Sequence, residues 1–430
     1  MSSQSAAAEA QAADNGKQSK QGRARNLAEW SQRPNLPGTH YLDTRVYTDP
    51  AIYDEEIDKI WNKVWLPICH ESELSAPLDF RTSGVAGTKP IVVVRGADNK
   101  IRSFLNVCPH RGNIVMRAPA GNLGEGSPSG NPRNMTCMFH GWQFDATGRC
   151  VEIPREKAGY QDRLCKAQMG LRELRTEVAH GGFVWVNLDD NCGPLADFTG
   201  NAFDFMATEL DTVPLEVFHY QKAVVRTNFK LWHETSREFY HDYLHYHNRA
   251  TGMLQKGYFD RKYTAFPNGH AATGLTSITY DAYEGAKDRG LTFPGMPLNG
   301  WKQLNIFPGC TYSLRASCLR VSVMTPISTD KVLIEIRGFG LKEDTPEERR
   351  ERILDHDTIW GPFGRNLHED LLVVQNQSIA MREGSGSKYL VMAREENNTI
   401  HDEIGLRSYY EEWSRLMGRL ACDPSRRSDE

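Results

Sequence analysis

The stretch "NVCPHRGNIVMR" (residues 106–117) sets Cys108 and His110 two positions apart around Pro109, and Gly112 follows in the same loop. A second stretch, "CMFHGW" (residues 137–142), brings Cys137 and His140 together ahead of Gly141. Each loop adjoins an expected strand, so two hairpin tips can face one another. Two Cys and two His are compatible with structural zinc. Zinc sites, however, ordinarily pair Cys with Cys and His with His at short spacing. One thiol and one imidazole per loop suit a two-iron cluster, with both thiolates on one iron and both imidazoles on the other.

Outward from these loops the texture is β, from residue 61 to about 190. "IVVVRG", a turn at 97–100 and "IRSFLNVC" predict a hairpin, and "GWQFDATGRCVEI" predicts another. "GGFVWVNLDD" (residues 181–190) is an apolar strand. "APAGNLGEGSPSGNPRN" (residues 118–134) is dense in Gly, Pro, Ser and Asn and is expected to be loop. Beyond residue 190 strands and helices mix. "FHYQKAVVRTNF" predicts a strand, and "KLWHETSREFYHDYLHYHNR" (residues 230–249), free of Gly and Pro, predicts one helix. Strands follow in "HAATGLTSITYD", "WKQLNIFPGCTYSLRASCLRVSVMTPIS" and "KVLIEIRGFGL". Two helices close the chain, at about 345–381 with a break near 360–365, and at 402–420. The expected fold is α+β: a small all-β domain, then a larger domain with an antiparallel sheet flanked by helices.

The 430 residues can bury a large core, and the composition (39% hydrophobic, 25% charged) is that of a globular protein. A net charge of −4 gives no electrostatic case for nucleic acid or an anionic membrane. No apolar run approaches the length of a membrane span. Residues 1–25, rich in Ala, Gln and Ser, lack an apolar signal segment and are expected to form a flexible tail. Nine cysteines without small-domain spacing argue for a reducing cytoplasm. The seven outside the two loops (Cys69, Cys150, Cys165, Cys192, Cys310, Cys318 and Cys422) read as small buried hydrophobes.

The expected helix at 230–249 carries Glu238, His241, His245 and His247. Residues three and four apart share a helix face, which aligns Glu238, His241 and His245. Two His and a carboxylate form the facial triad of mononuclear Fe(II) sites that keep positions open for O2. The third ligand must come from elsewhere.

The loops "CPHRG" and "CMFHGW" resemble those of the Rieske non-heme iron aromatic ring-hydroxylating oxygenases, large (alpha) subunit. They lack the extra cysteine per loop of respiratory Rieske proteins. The gap of 26 residues between His110 and Cys137 exceeds the family's usual one, and the excess falls in the Gly/Pro-rich stretch. The second segment resembles the family pattern NWKLxxENxxDxYH, matched by Asn228, Lys230, Leu231, Glu234, Tyr240 and His241. Thr235 replaces the family's Asn. The family's second iron His lies five after the first, a place held here by Tyr246; His245 is the choice and His247 the alternative. "GRNLHEDLLVVQNQSIAM" resembles the family's C-terminal acidic stretch, with Asp370 as third ligand and Glu369 as runner-up.

The resemblance implies a [2Fe–2S] cluster on Cys108, His110, Cys137 and His140, and mononuclear Fe(II) on His241, His245 and Asp370. It implies that Glu238 bridges His241 to His140 of a neighbouring subunit. It divides the chain into a tail (1–25), an N-terminal part of the catalytic domain (26–60), a Rieske domain (61–190) and a catalytic domain (191–430). Neither a GxGxxG nor a P-loop is present, so NAD(P)H acts through a separate reductase, with a ferredoxin in some systems. A small beta subunit, a homotrimer or an α3β3 hexamer, and a cytoplasmic location go with the family. The implied reaction is cis-dihydroxylation of an aromatic ring by O2. The alternatives are a monooxygenase or demethylase acting on a substituted ring or quaternary amine, and an electron carrier or zinc-stabilised binding protein with one metal centre. Pocket candidates are Trp232, Phe239, Tyr243 and Leu244, with the strands around 304–314; Arg315, Arg320 and Arg337 could hold a carboxylate or sulfonate.

Overall fold

The computed structural model describes residues 31–85, 89–125, 133–161, 163–250, 252, 256–279, 290–382, 386–394 and 402–430. The expected tail at 1–25 lies outside them. Two seven-stranded antiparallel sheets carry the fold. In the first, the strands run in the order Leu66–His70, Phe183–Asn187, Glu173–Ala179, Ile101–Leu105, Lys89–Arg95, Asp79–Val85 and Ala120–Asn122. The hairpin expected around 97–100 is present, with Arg95 opposite Ile101. Alternating apolar residues explain its two-sided burial. Val92 and Val94 face a core with Phe104, Trp142 and Phe144, while Ile91 and Val93 face a second core with Trp61, Ile334 and Trp413.

One expectation is corrected here. Part of the 118–134 stretch is a strand, Ala120–Asn122, which pairs with Asp79, Phe80 and Arg81 at the sheet edge. An edge strand needs backbone pairing rather than apolar side chains, so its composition hid it. A three-stranded sheet (Met135–Thr136, Gln143–Phe144, Cys150–Glu152) presents the second Cys–His loop.

The second sheet runs Leu215–Val225, Lys331–Leu341, Leu319–Ser328, Cys310–Arg315, Gly300–Ile306, Ala271–Ser277 and Tyr263–Ala265. Its two faces differ. Leu304, Tyr312 and Val321 occupy one register row and pack against Phe183, Trp185 and Phe203. On the opposite face stand the rows Gln303–Ser313–Arg320 and Asn305–Thr311–Ser322. All of these but Arg320 are buried, and Asn305 and Thr311 are 0% exposed. A buried polar sheet face requires partners, and the segments that carry the second constellation lie over it.

The helix expected at 230–249 is interrupted, a second correction. It consists of Phe229–Glu234, a 3₁₀ turn Tyr240–Tyr243 with His241 at ψ 17°, and Tyr246–Ala250. Tertiary hydrogen bonds capture the carbonyls that a helix would use. Gln303 Nε2 and Asn305 Nδ2 both donate to Ser236 O, and Arg261 Nη2 donates to Phe239 O at 2.8 Å. Glu238 accepts from the backbone N–H groups of Tyr240 and His241, which caps a new turn.

The first piece is anchored at both ends of the chain. Asn228 caps it through Lys230 N at 3.0 Å. Lys230 Nζ pairs with Glu56 at 2.8 Å, both side chains being fully buried, and Trp413 Nε1 donates to Glu56 at 2.6 Å. Glu234 accepts from Tyr47 at 2.8 Å and from Tyr410. The expected C-terminal helices are Pro346–Trp360, Leu367–Arg382 and Ile404–Met417. Five of the seven extra cysteines are buried as expected, but Cys165 is exposed and Cys192 half-buried.

Candidate metal centres

The two Cys–His loops have the same backbone. Gly112 N donates to Cys108 O and Gly141 N to Cys137 O, each at 2.9 Å. Cys108 N donates to Asn113 O at 2.8 Å and Cys137 N to Trp142 O at 2.9 Å. Gly112 and Gly141 have φ of 72° and 76°, the left-handed region that explains why Gly follows each motif. The thiols of Cys108 and Cys137 are buried against each other, and Asn113 Nδ2 donates to Cys137 Sγ at 3.7 Å. The rings of His110 and His140 lie 4.5 Å apart. His110 stacks on Trp142, with planes 2° apart. Burial pushes the Cys108 thiol up to about 11 and lowers His110, with His140 adding to the second effect. His110 Nδ1 is enclosed and has no partner. Paired thiols, paired imidazoles and an orphaned ring nitrogen suit a [2Fe–2S] cluster of two irons bridged by two sulfides. The tip around His140 is exposed, with Met138 at 61% and Phe139 at 55%.

The second constellation also converges. His241 Nε2 and His245 Nε2 lie 3.9 and 3.6 Å from Asp370 Oδ1. Asp370 stands in the first turn of Leu367–Arg382, and its Oδ1 is enclosed without a hydrogen bond. Each imidazole is held from behind by a carboxylate: His241 Nδ1 by Glu238 at 2.6 Å and His245 Nδ1 by Glu369 at 2.9 Å. Those contacts fix the tautomers that leave both Nε2 atoms as acceptors facing Asp370. Burial raises Asp370, while His245, His241 and Arg320 counter it. Burial also opposes ionisation of Glu238, but the His241 imidazole and the backbone donors outweigh it and lower its pKa. His247 is exposed and turned toward His368. Two imidazoles and one carboxylate around an enclosed oxygen suit a divalent iron with open positions.

Residues 64–174 match the Rieske [2Fe-2S] domain, and residues 212–419 match the ring hydroxylating alpha subunit catalytic domain. The chain is 55% identical to the methanesulfonate monooxygenase hydroxylase subunit alpha of Methylosulfonomonas methylovora, over 93% of this chain and 97% of that one. The chain belongs to the Rieske ring-hydroxylating oxygenase alpha subunits. The 2-aminobenzenesulfonate 2,3-dioxygenase subunit alpha of Alcaligenes sp. is 41% identical over 93% and 99% of the two chains. Naphthalene 1,2-dioxygenase from Rhodococcus sp. shares the fold, with a TM-score of 0.76 at 20% identity over 88% of this chain and 94% of that one. The oxygenase therefore uses a [2Fe–2S] cluster and a mononuclear iron, with electrons drawn from NAD(P)H through a reductase. Enzymes of this family are multimeric and take electrons from reductase and ferredoxin partners. Among the described residues, no helix is long and apolar enough to cross a membrane.

Beside the triad the oxygenase has a cavity of about 80 Å³. Of the expected lining residues, Trp232, Phe239, Arg315 and Arg320 are there. Leu304 and Leu314 lie on the opposite, apolar sheet face. Arg337 faces away and pairs with Glu73 at 2.8 Å. The Tyr243 side chain lies outside the described residues. Of the span 304–314 only Ser313 lines the cavity, and sequence reasoning missed Trp301 and Gln303. Their signal was the alternation in "WKQLNI" and "CTYSLR", which puts 301 and 303, and 313 and 315, on one face. It also missed that Glu369 holds His245. A further trio, His219, His356 and Asp357, converges behind Trp360; Asp357 Oδ1 lies 3.0 Å from His356 Nδ1 and 3.5 Å from His219 Nδ1.

Proposed function

We propose that this oxygenase hydroxylates a small organosulfonate, with its iron held by His241, His245 and Asp370 and its cluster by Cys108, His110, Cys137 and His140. The observation that carries this reading is the convergence of two carboxylate-held imidazoles on the enclosed Asp370 oxygen. The similar chains act on methanesulfonate and on 2-aminobenzenesulfonate, and the sulfonate is what those molecules share. A cavity of about 80 Å³ favours the smaller one. Aromatic ring cis-dihydroxylation is the second reading, supported by the dioxygenase at 41% identity.

When bound, the iron supplies the centre at which O2 is reductively activated. The chain's residues do the rest. Glu238 and Glu369 orient the two imidazoles. Phe239, Trp232 and Trp301 wall the cavity against water. We assign residues 31–60 to the catalytic part, since Glu56 and Tyr47 are bound to its helices.

Glu238 serves as the bridge for electron entry across a subunit contact. The exposed Met138 and Phe139 beside His140, and the exposed Tyr240 and Tyr246 beside the triad, fit such a contact in a trimer or α3β3 assembly. Glu238→Gln, reloaded with iron to full occupancy, is then expected to keep the cluster yet slow oxidation of the reduced cluster at least about 100-fold in single turnover. Oxidation at the wild-type rate would remove the bridge.

A further inference from the structure

The floor of the cavity is a polar row of the second sheet. Gln303, Ser313 and Arg320 are direct cross-strand neighbours on one face, and all three line the cavity that contains His241, His245 and Asp370. They differ in what they already do. Gln303 donates to Ser236 O and so belongs to the scaffold. Arg315, at the cavity edge, has Asp355 at 3.6 Å. Among the described residues Arg320 has no carboxylate within ion-pair distance. Its Nε is enclosed with no hydrogen-bond partner, and the Trp360 ring lies 5.0 Å from its guanidinium. Asp370, whose charge reaches it, is already faced by the two imidazoles. Burial pushes Arg320 down to about 10, which still leaves it charged at neutral pH.

A guanidinium has five donors in a planar fork. Lining a cavity with a guanidinium that has no anion beside its fork is costly, and native chains rarely do so without a ligand to complete the set. We infer that Arg320 anchors the anionic head of the substrate, with two fork N–H groups on two oxygens and the Ser313 hydroxyl on a third. This rests on the functional reading above and deepens it. A three-oxygen head matches this donor set better than a two-oxygen carboxylate does. The small volume then leaves the carbon bonded to the head as the part of the substrate nearest the His241 and His245 Nε2 atoms. Arg320 is thus a specificity and positioning residue: it fixes which molecules enter and which carbon faces the metal.

The test uses the holoenzyme and calorimetric titration with methanesulfonate, its neutral isostere dimethyl sulfone, and acetate. Wild type is expected to prefer methanesulfonate over the sulfone by about 30-fold or more, the scale of charge-assisted hydrogen bonds. Arg320→Gln should bring that ratio to within about threefold of unity, with iron content and cluster absorbance retained, and Arg320→Lys should fall between. If Arg320→Gln keeps wild-type selectivity for methanesulfonate, the anchor is overturned while the sulfonate reading stands. If wild type ignores methanesulfonate but binds acetate through Arg320, the sulfonate reading fails and the anchor stands. If wild type shows no preference for either anion over the sulfone, both fall, and this result does not depend on any variant folding.

Discussion

Three adjacent carboxylates do different work at the proposed iron site, and geometry separates them. Asp370 Oδ1 faces both Nε2 atoms, whereas Glu238 and Glu369 each take one Nδ1. A carboxylate on Nδ1–H makes the imidazole a better donor and locks its plane. Glu369 and Asp370 are neighbours in the first turn of a helix, where unsatisfied N–H groups favour negative charge. Neighbours on a helix point about 100° apart, so one can reach His245 from behind while the other faces the metal position. Glu369→Gln is therefore expected to weaken retention of the mononuclear iron by about tenfold or more, the usual scale for loss of such a contact. Iron release to a chelator, followed with the cluster absorbance as internal control, checks this; wild-type retention would show the contact to be idle.

At the scale of elements, the interrupted segment 229–250 is the instructive case. Its residue types read as helix, and its first turn is one. Beyond Glu234 the competing donors, Gln303, Asn305 and Arg261, belong to strands and loops distant in sequence, so no local pattern announces the break. What the motif residues Asn228, Lys230 and Glu234 do was equally hidden: they tie this helix to both ends of the chain. Glu234 gives a stability prediction. Burial raises its pKa from 4.5 to about 7, against the hydroxyl donors Tyr410 and Tyr47 and the charge of Lys230, with Glu238 adding to the rise. The folded chain thus holds a proton that the unfolded chain releases between pH 4.5 and 7. Stability falls as pH rises through that window, by about 3 kcal/mol at most from this group. Glu403, also raised to about 7, titrates alongside it. Glu234→Gln, which cannot ionise, should show a visibly smaller loss of Tm between pH 5 and 8. A slope equal to wild type would mean that Glu234 is ionised throughout.

At the scale of the molecule, one sheet positions the two Cys–His loops and the other floors the cavity beside His241, His245 and Asp370. The cluster loops were legible because ligand chemistry dictates residue identity: Cys108, His110, Cys137 and His140 have few other reasons to recur in that arrangement with a following glycine. The triad was legible in membership, since His245 and Asp370 are the residues brought to His241, although the uninterrupted helix used to argue it is absent. The cavity was half legible. Trp232 and Phe239 were found by proximity, but Gln303 and Ser313 depend on strand register, which sequence alone leaves open. Arg320 and Arg337 looked alike as isolated arginines. Only the register sends one toward the cavity and the other to Glu73.

The account stands on two iron centres of different nuclearity in one chain. Iron and acid-labile sulfide should be quantified together with the visible spectrum for wild type, His245→Ala and His247→Ala. Wild type and His247→Ala are expected to hold about three irons and two sulfides per chain, and His245→Ala about two of each with unchanged cluster absorption. A His245→Ala protein that keeps its third iron, or a His247→Ala protein that loses it, would contradict the account.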